Sequence, residues 1–277
     1  MSVWPGEFIS ETRRHGKIRL GRALSNPVLG TVISHAYRDR IRNQGVVIDT
    51  SAPEFTPTVK AQLAFGIYES AEIRFIRKYL RGCPRVLELG ASLGVTASHI
   101  LDVAGPGAEV VCVEANPRLL TTLRATTAAA AEKAGATVRT IHGAVPPDPL
   151  TRSQSVWFML GHSHLGSQAS PAPDGAARQV RVPAVDLAEL VRDWTDYALV
   201  CDIEGAEAAL IMSAQPVLTR ARRLVIELHE TAYGKASVSV ADLRHALLDI
   251  GFTPVAENGR VLALDGPVSK QERGDRD

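Results

Sequence analysis

The chain has 277 residues, 45% of them hydrophobic and 22% charged. That is enough apolar material for one large α/β domain with additions, and short of two full domains. Its net charge of +1 provides no global basic field for nucleic acid or an anionic membrane, so neither is expected as a partner. No apolar run approaches the ~18 residues of a membrane helix, and Met1 to Ser10 lacks the basic and apolar regions of a signal peptide. Cys83, Cys112 and Cys201 lie far apart, and the latter two sit in apolar runs, which predicts buried reduced thiols and a cytoplasmic setting.

In chain order, residues 1–60 are mixed. Arg13, Arg14, Lys17, Arg19 and Arg22 make this segment locally basic, and Val46–Asp49 reads as a short strand. We expect a cap or arm on the main domain; a partner surface or homo-oligomer contact is the alternative. The spacing of Leu63, Ile67, Ile73, Ile76 and Leu80 predicts a helix over 60–81. Gly82-Cys83-Pro84 ends it and leads into a strand at 85–89. A helix through Ala104, strand 109–114, helix 117–134 and strand 137–142 follow. Such alternation predicts a parallel sheet covered on both faces.

The pattern breaks over 146–178, read as a long excursion with a strand pair around Val156–Leu160 and Val180–Val182. It resumes with helix 185–193, strand 197–203, helix 206–218, strand 223–228 and helix 240–250. Phe252–Val255 and Val261–Leu264, joined through Asn258-Gly259, predict a closing hairpin. The charged tail from 265 to 277 is expected to be disordered.

Chemistry concentrates in three places. The run Val86-Leu87-Glu88-Leu89-Gly90-Ala91-Ser92-Leu93-Gly94 ends a strand, turns on glycine and opens a helix. A dinucleotide fingerprint would place glycine at 88, 90 and 93, and only Gly90 fits. Glu88 would repel a pyrophosphate, while a carboxylate beside the free N–H groups of a helix start suits a ligand with both a cation and a carboxylate. The methionine end of S-adenosylmethionine is such a ligand. Glu114 ends the next strand, where an acid can accept from ribose hydroxyls. Asp202 and Glu204 leave a third strand and, by period-two alternation, are expected on one face beside the cofactor. Glu207 reads as a cap or first-turn dipole partner.

Together with Val113-Glu114-Ala115-Asn116-Pro117, Asp202-Ile203-Glu204-Gly205-Ala206-Glu207 and Val225-Ile226-Glu227-Leu228-His229, the glycine loop resembles the FkbM family of SAM-dependent methyltransferases over roughly 66–255. The family's loop usually reads Asp-x-Gly-Ala-Asn-x-Gly; here Glu88 replaces the aspartate and Ser92 the asparagine. The resemblance implies a Rossmann-like class I methyltransferase fold. Its seven-stranded sheet is mostly parallel, with helices on both faces and a closing antiparallel hairpin, and the domain occupies 61–264. It implies a hydroxyl acceptor on a sugar, glycoside or other secondary metabolite. Glu88, Gly90, Ala91, Ser92 and Gly94 would hold the methionine end. Glu114, Ala115 and Asn116 would hold the ribose, and Gly143 and Ala144 would border adenine. Tyr68 and Glu69, in Phe65-Gly66-Ile67-Tyr68-Glu69, would close over the cofactor, and Asp202 would touch it.

For removal of the acceptor proton the candidates are Asp202, Glu204 and His229; histidine has the pKa better matched to neutrality. His162 and His164, joined by Asp202, would offer a divalent-metal set. A polar loop is the plainer reading, and no metal ligand is assigned. The loop 160–170 is the candidate acceptor pocket. Three other readings compete: methylation of a nitrogen or carboxyl group, a nicotinamide-dependent dehydrogenase disfavoured by Glu88 and Leu93, and a non-catalytic methyltransferase-like binding module.

Overall fold

A computed structural model describes residues 26–146, 154–160, 168–170, 179–213, 216–233 and 236–267. Helix α1 (Pro27–Tyr37) starts on Asn26, whose side chain accepts from the Val28 N–H at 2.8 Å. Strands β1 (Arg40–Asn43) and β2 (Val46–Asp49) pair antiparallel. Two helices follow, α2 (Pro57–Ala64) and α3 (Ser70–Tyr79), where one helix over 60–81 was expected. The break has a local cause: Gly66 at φ +64° and Glu69 at φ +40° leave the right-handed region. Apolar spacing carries across that turn because Leu63 and Ile73 enter the same core cluster.

The sheet then builds through β3 (Arg85–Leu89), α4 (Val95–Ala104), β4 (Glu109–Glu114), α5 (Leu120–Ala134) and β5 (Thr137–His142). The excursion contains β6 (Ser155–Met159), β7 (Gln168–Ser170) and β8 (Gln179–Pro183), a separate antiparallel sheet in which the expected pairing of β6 with β8 is present. Helix α6 (Leu187–Leu190) is a single turn, and β9 (Ala198–Cys201) is shorter than expected. Helices α7 (Glu207–Met212) and α8 (Pro216–Thr219) occupy the 206–218 segment. Then come β10 (Arg223–Glu227), the short pair β11 (Thr231–Tyr233) and β12 (Ala236–Val238), α9 (Val240–Ile250), and the closing hairpin β13 (Thr253–Asn258) and β14 (Val261–Asp265).

The main sheet has seven strands in the order β13-β14-β10-β9-β3-β4-β5. The pairs β9–β10, β3–β9, β3–β4 and β4–β5 are parallel, and β14 is antiparallel to both its neighbours. This is the Rossmann-like class I methyltransferase fold. Alternation along the strands sorts the core into two layers. Leu87, Leu89, Val111, Leu199 and Ile226 pack with α7 and α9 on one face. Val86, Val110, Val200 and Val225 pack with α3 and α4 on the other. Complete burial on both sides explains why the central strands read as unbroken apolar runs. Cys112 and Cys201 are buried free thiols, as expected. Among the described residues no helix is long and apolar enough to cross a membrane.

The chain leaves β3 toward β4 and β5 on one side and reaches β9 and β10 on the other, so β3 and β9 flank the switch point of the sheet. Ligands of open α/β sheets bind at the carboxyl ends of strands at such a point. The register aligns those ends, since Leu89 pairs with both Val113 and Cys201.

Candidate active site

Three strand ends converge on one cleft. After β3 the loop doubles back, with the Gly90 and Ala91 N–H groups both donating to the Val113 carbonyl at 2.9 and 3.1 Å. Gly90 sits at φ +87°, and a Cβ there would lie 1.8 Å from the Asp202 carbonyl oxygen. Only glycine lets the loop and the end of β9 approach so closely. Ser92 takes φ +47° without being glycine, and its N–H donates to Glu114 Oε2 at 2.7 Å. The other Glu114 oxygen accepts from the Asn116 N–H at 2.6 Å. One carboxylate therefore ties the glycine loop to the loop after β4. Burial pushes the Glu114 pKa up, and the backbone donors pull against that rise.

Of the residues singled out by sequence, Tyr68, Glu69, Gly90, Ala91, Ser92, Glu114, Ala115, Gly143, Ala144, Asp202 and Glu204 line this cleft. Glu88, Gly94, Asn116 and His229 are not in its lining. Glu88 is 1% exposed, with Oε1 accepting from Thr96 Oγ1 at 2.5 Å and Oε2 from Cys112 Sγ at 3.3 Å. Burial raises its pKa to about 7. Gly94 caps α4, and the Asn116 side chain accepts from the Arg118 N–H at 3.1 Å. Val145 and Phe158 complete the apolar wall beside Gly143. His162, His164 and residues 161–167 of the expected acceptor loop lie outside the described residues.

The route from β9 differs from simple alternation. The strand ends at Cys201, and Glu204 turns at φ +51°. Asp202 and Glu204 reach the cleft through this turn. Glu207 fastens it, accepting from the Ile203 and Gly205 N–H groups at 3.0 and 2.7 Å; of the two expected roles it takes the first-turn position, and α7 has no side-chain cap hydrogen bond. Glu207 also accepts from His229 Nδ1 at 3.1 Å. Burial pulls the His229 pKa down, but the Glu207 hydrogen bond and the charges of Glu207, Asp202 and Glu204 prevail and lift it to about 9. A histidine poised near neutrality was the expectation. The carboxylates around it instead keep this imidazole protonated at pH 7.

Sequence reasoning missed Glu72, which lines the cleft at 4% exposure. It shares a helical face with Phe75 and Ile76, and a carboxylate on a buried apolar stripe was the available signal. Glu227, at the end of β10, stood in a quoted motif without a role. It carries an oxygen close to those of Glu69 and Asp202. Burial and then the neighbouring acids raise the pKa of Glu69 to about 7. Burial, then Asp202 and Glu69, raise that of Glu72 well above the usual range.

The cleft is lined mainly by acids, hydroxyls and apolar side chains. Among the described residues its lining contains no lysine or arginine but several carboxylates, so a phosphate would find no cationic side chain there, whereas a sulfonium or ammonium is favoured. Ser92 Oγ and Asp202 Oδ1 are buried without a hydrogen bond of normal geometry, although the Ser92 hydroxyl interacts with the Tyr68 phenol. Such orphaned groups are costly unless a ligand completes them.

The family model described as methyltransferase FkbM domain matches residues 88–254. No curated protein matches the chain. Among solved structures, Aeropyrum pernix fibrillarin in complex with S-adenosyl-L-methionine aligns at 15% identity over 70% of this chain and 72% of its own, with a TM-score of 0.39. A protein in the NADB-Rossmann superfamily from Streptococcus agalactiae aligns at 12% identity over 71% of this chain and 68% of its own, with a TM-score of 0.40. Precorrin-6y C5,15-methyltransferase from Geobacter metallireducens aligns at 13% identity over 71% and 84%, with a TM-score of 0.37.

Proposed function

The chain belongs to the FkbM-domain family of SAM-dependent methyltransferases, the premise from which we propose that it methylates a hydroxyl of a sugar, a glycoside or another secondary metabolite. The observation that carries the reading is the meeting of Gly90, Glu114 and Asp202 at the aligned ends of β3, β4 and β9, in a cleft lined by carboxylates. When bound, S-adenosylmethionine supplies an electrophilic methyl on a sulfonium.

The chain's own residues then divide the work. Glu114, held by two backbone donors, accepts from ribose hydroxyls. Gly143, Ala144 and Phe158 border the adenine. Ser92 Oγ and the N–H groups opening α4 receive the methionine carboxylate, and the acids across the cleft receive its ammonium. Asp202 takes the proton of the acceptor hydroxyl. Burial and then the Glu69 and Glu227 charges raise its pKa, which makes its ionised form a stronger base. Glu204 orients the acceptor at the rim. His229 holds its proton and serves as a counter-cation.

The test is calorimetric titration of the chain with S-adenosylmethionine, with NAD as control. We expect micromolar binding of the first and none of the second. In Glu114→Ala the affinity should fall at least about tenfold, the cost of losing a charge-assisted hydrogen-bond anchor. Turnover with hydroxyl acceptors, read by mass, should vanish in Asp202→Ala while S-adenosylmethionine affinity changes little. A folded protein that ignores S-adenosylmethionine would sink the proposal and favour the binding-module reading.

A further inference from the structure

Glu69, Asp202 and Glu227 come from three separate parts of the chain: the turn before α3, the end of β9 and the end of β10. Each offers one carboxylate oxygen, and these oxygens all lie within 4.8 Å of one another. Ligands placed around one ion at about 2.0–2.6 Å stand at most about 4–5 Å apart, so the three oxygens fit a single shared cation. We propose that Glu69, Asp202 and Glu227 form a binding site for one hard divalent cation, of the Mg2+, Mn2+ or Ca2+ class, beside the cleft that Glu69 and Asp202 line.

Two further observations point to a ligand here beyond the cluster of acids. Asp202 Oδ1 is buried with no hydrogen-bond partner. Glu72, 4% exposed, lines the same cleft and makes no hydrogen bond or ion pair among the described residues. After burial, the charges that act on it most are those of Asp202 and Glu69. Unpaired buried carboxyl groups facing one another are expensive unless a proton or a cation is shared between them.

The surroundings also choose among ligand sets. Asp202, Glu207 and His229 likewise bring ligand atoms within 4.8 Å, but Glu207 is already occupied by the Ile203 and Gly205 N–H groups and by His229 Nδ1. It is an orienting residue that holds the turn carrying Asp202, as outer partners do at metal sites. His229 Nε2 lies 3.9 Å from Glu227 Oε1 and 3.7 Å from Glu204 Oε2. The all-oxygen set favours a hard cation over zinc or copper. Glu69 and Asp202 also line the cleft, so an ion held by them would present open positions to an acceptor hydroxyl. That last consequence alone depends on the methyltransferase reading.

The test strips the full chain with a chelator and titrates it with MnCl2, following free Mn2+ by electron paramagnetic resonance. One ion per chain is expected, displaced by excess Mg2+. Glu227→Gln should weaken binding at least about tenfold with unchanged circular dichroism; Asp202→Asn should do the same. Absence of saturable binding at millimolar Mn2+, or binding unaltered in Glu227→Gln, overturns the proposal. A parallel titration with S-adenosylmethionine separates the two readings. Binding of S-adenosylmethionine without Mn2+ removes the cation site alone, and Mn2+ binding without S-adenosylmethionine removes the cofactor reading alone.

Discussion

Glu88 shows how one side chain can hold a motif's place in sequence yet act beneath it. The residue was expected to hold the methionine end of the cofactor. It lies instead under the glycine loop, between Thr96 and Cys112, on the apolar face of β3. The buried carboxyl has a pKa of about 7, against roughly 4.3 in an unfolded chain. Between those values the native state holds the proton more tightly, so its contribution is present in acid and is lost as pH rises toward 7. The full span amounts to about 4 kcal/mol. Glu88→Gln keeps an acceptor for Thr96 without the ionisation. Wild-type stability minus that of the variant should therefore fall between about pH 4.5 and 7, measured by denaturant unfolding at several pH values. A flat difference would mean that Glu88 meets solvent or a cation.

At the scale of elements, residues of the N-terminal segment pack directly against the glycine loop. The expected strand Val46–Asp49 is there, and its Ile48 joins Ile41, Phe55 and Leu63 in a cluster with Leu93 and Val95. The last two belong to the glycine loop and to the first turn of α4. A polar tie runs alongside. His99 Nε2 donates to Asn43 Oδ1 at 2.9 Å, and Asn43 Nδ2 donates to the Leu63 carbonyl at 2.8 Å. Burial and Arg77 hold the His99 pKa down at about 4, which keeps the ring neutral. Ile48→Ala should cost about 2–5 kcal/mol in stability, the usual range for emptying such a site. It should also weaken S-adenosylmethionine binding at a temperature where the variant is fully folded. An unchanged affinity would limit the arm to stability.

Across the whole molecule, legibility followed the range of the forces involved. The order of strands was readable because buried parallel strands are continuous apolar runs, and the glycine loop because backbone geometry demands Gly90. The break at Phe65–Glu69 was not, since the apolar spacing runs through it. Nor was Glu72, because a lone glutamate on a helix ordinarily faces water. The same long-range packing gathers Glu69, Glu72, Glu88, Glu114, Asp202 and Glu227, all with pKa values raised first by burial, and His229 at about 9. Every one of these contributes stability below its unfolded pKa and loses it as pH climbs through the folded value. Among the buried groups of the described residues, His99 alone opposes them, and its effect is complete above roughly pH 6.5. The chelator-stripped protein should therefore lose thermal stability steadily from about pH 6.5 to 9. S-adenosylmethionine at a hundred times its Kd should restore about 2.7 kcal/mol, a rise of roughly 5–10 °C for a chain of this size. Scanning calorimetry across that range decides the matter. A melting temperature that climbs from pH 6.5 to 9 would show that these acids are ionised in the folded protein, and the packed acidic cleft would not be what limits its stability.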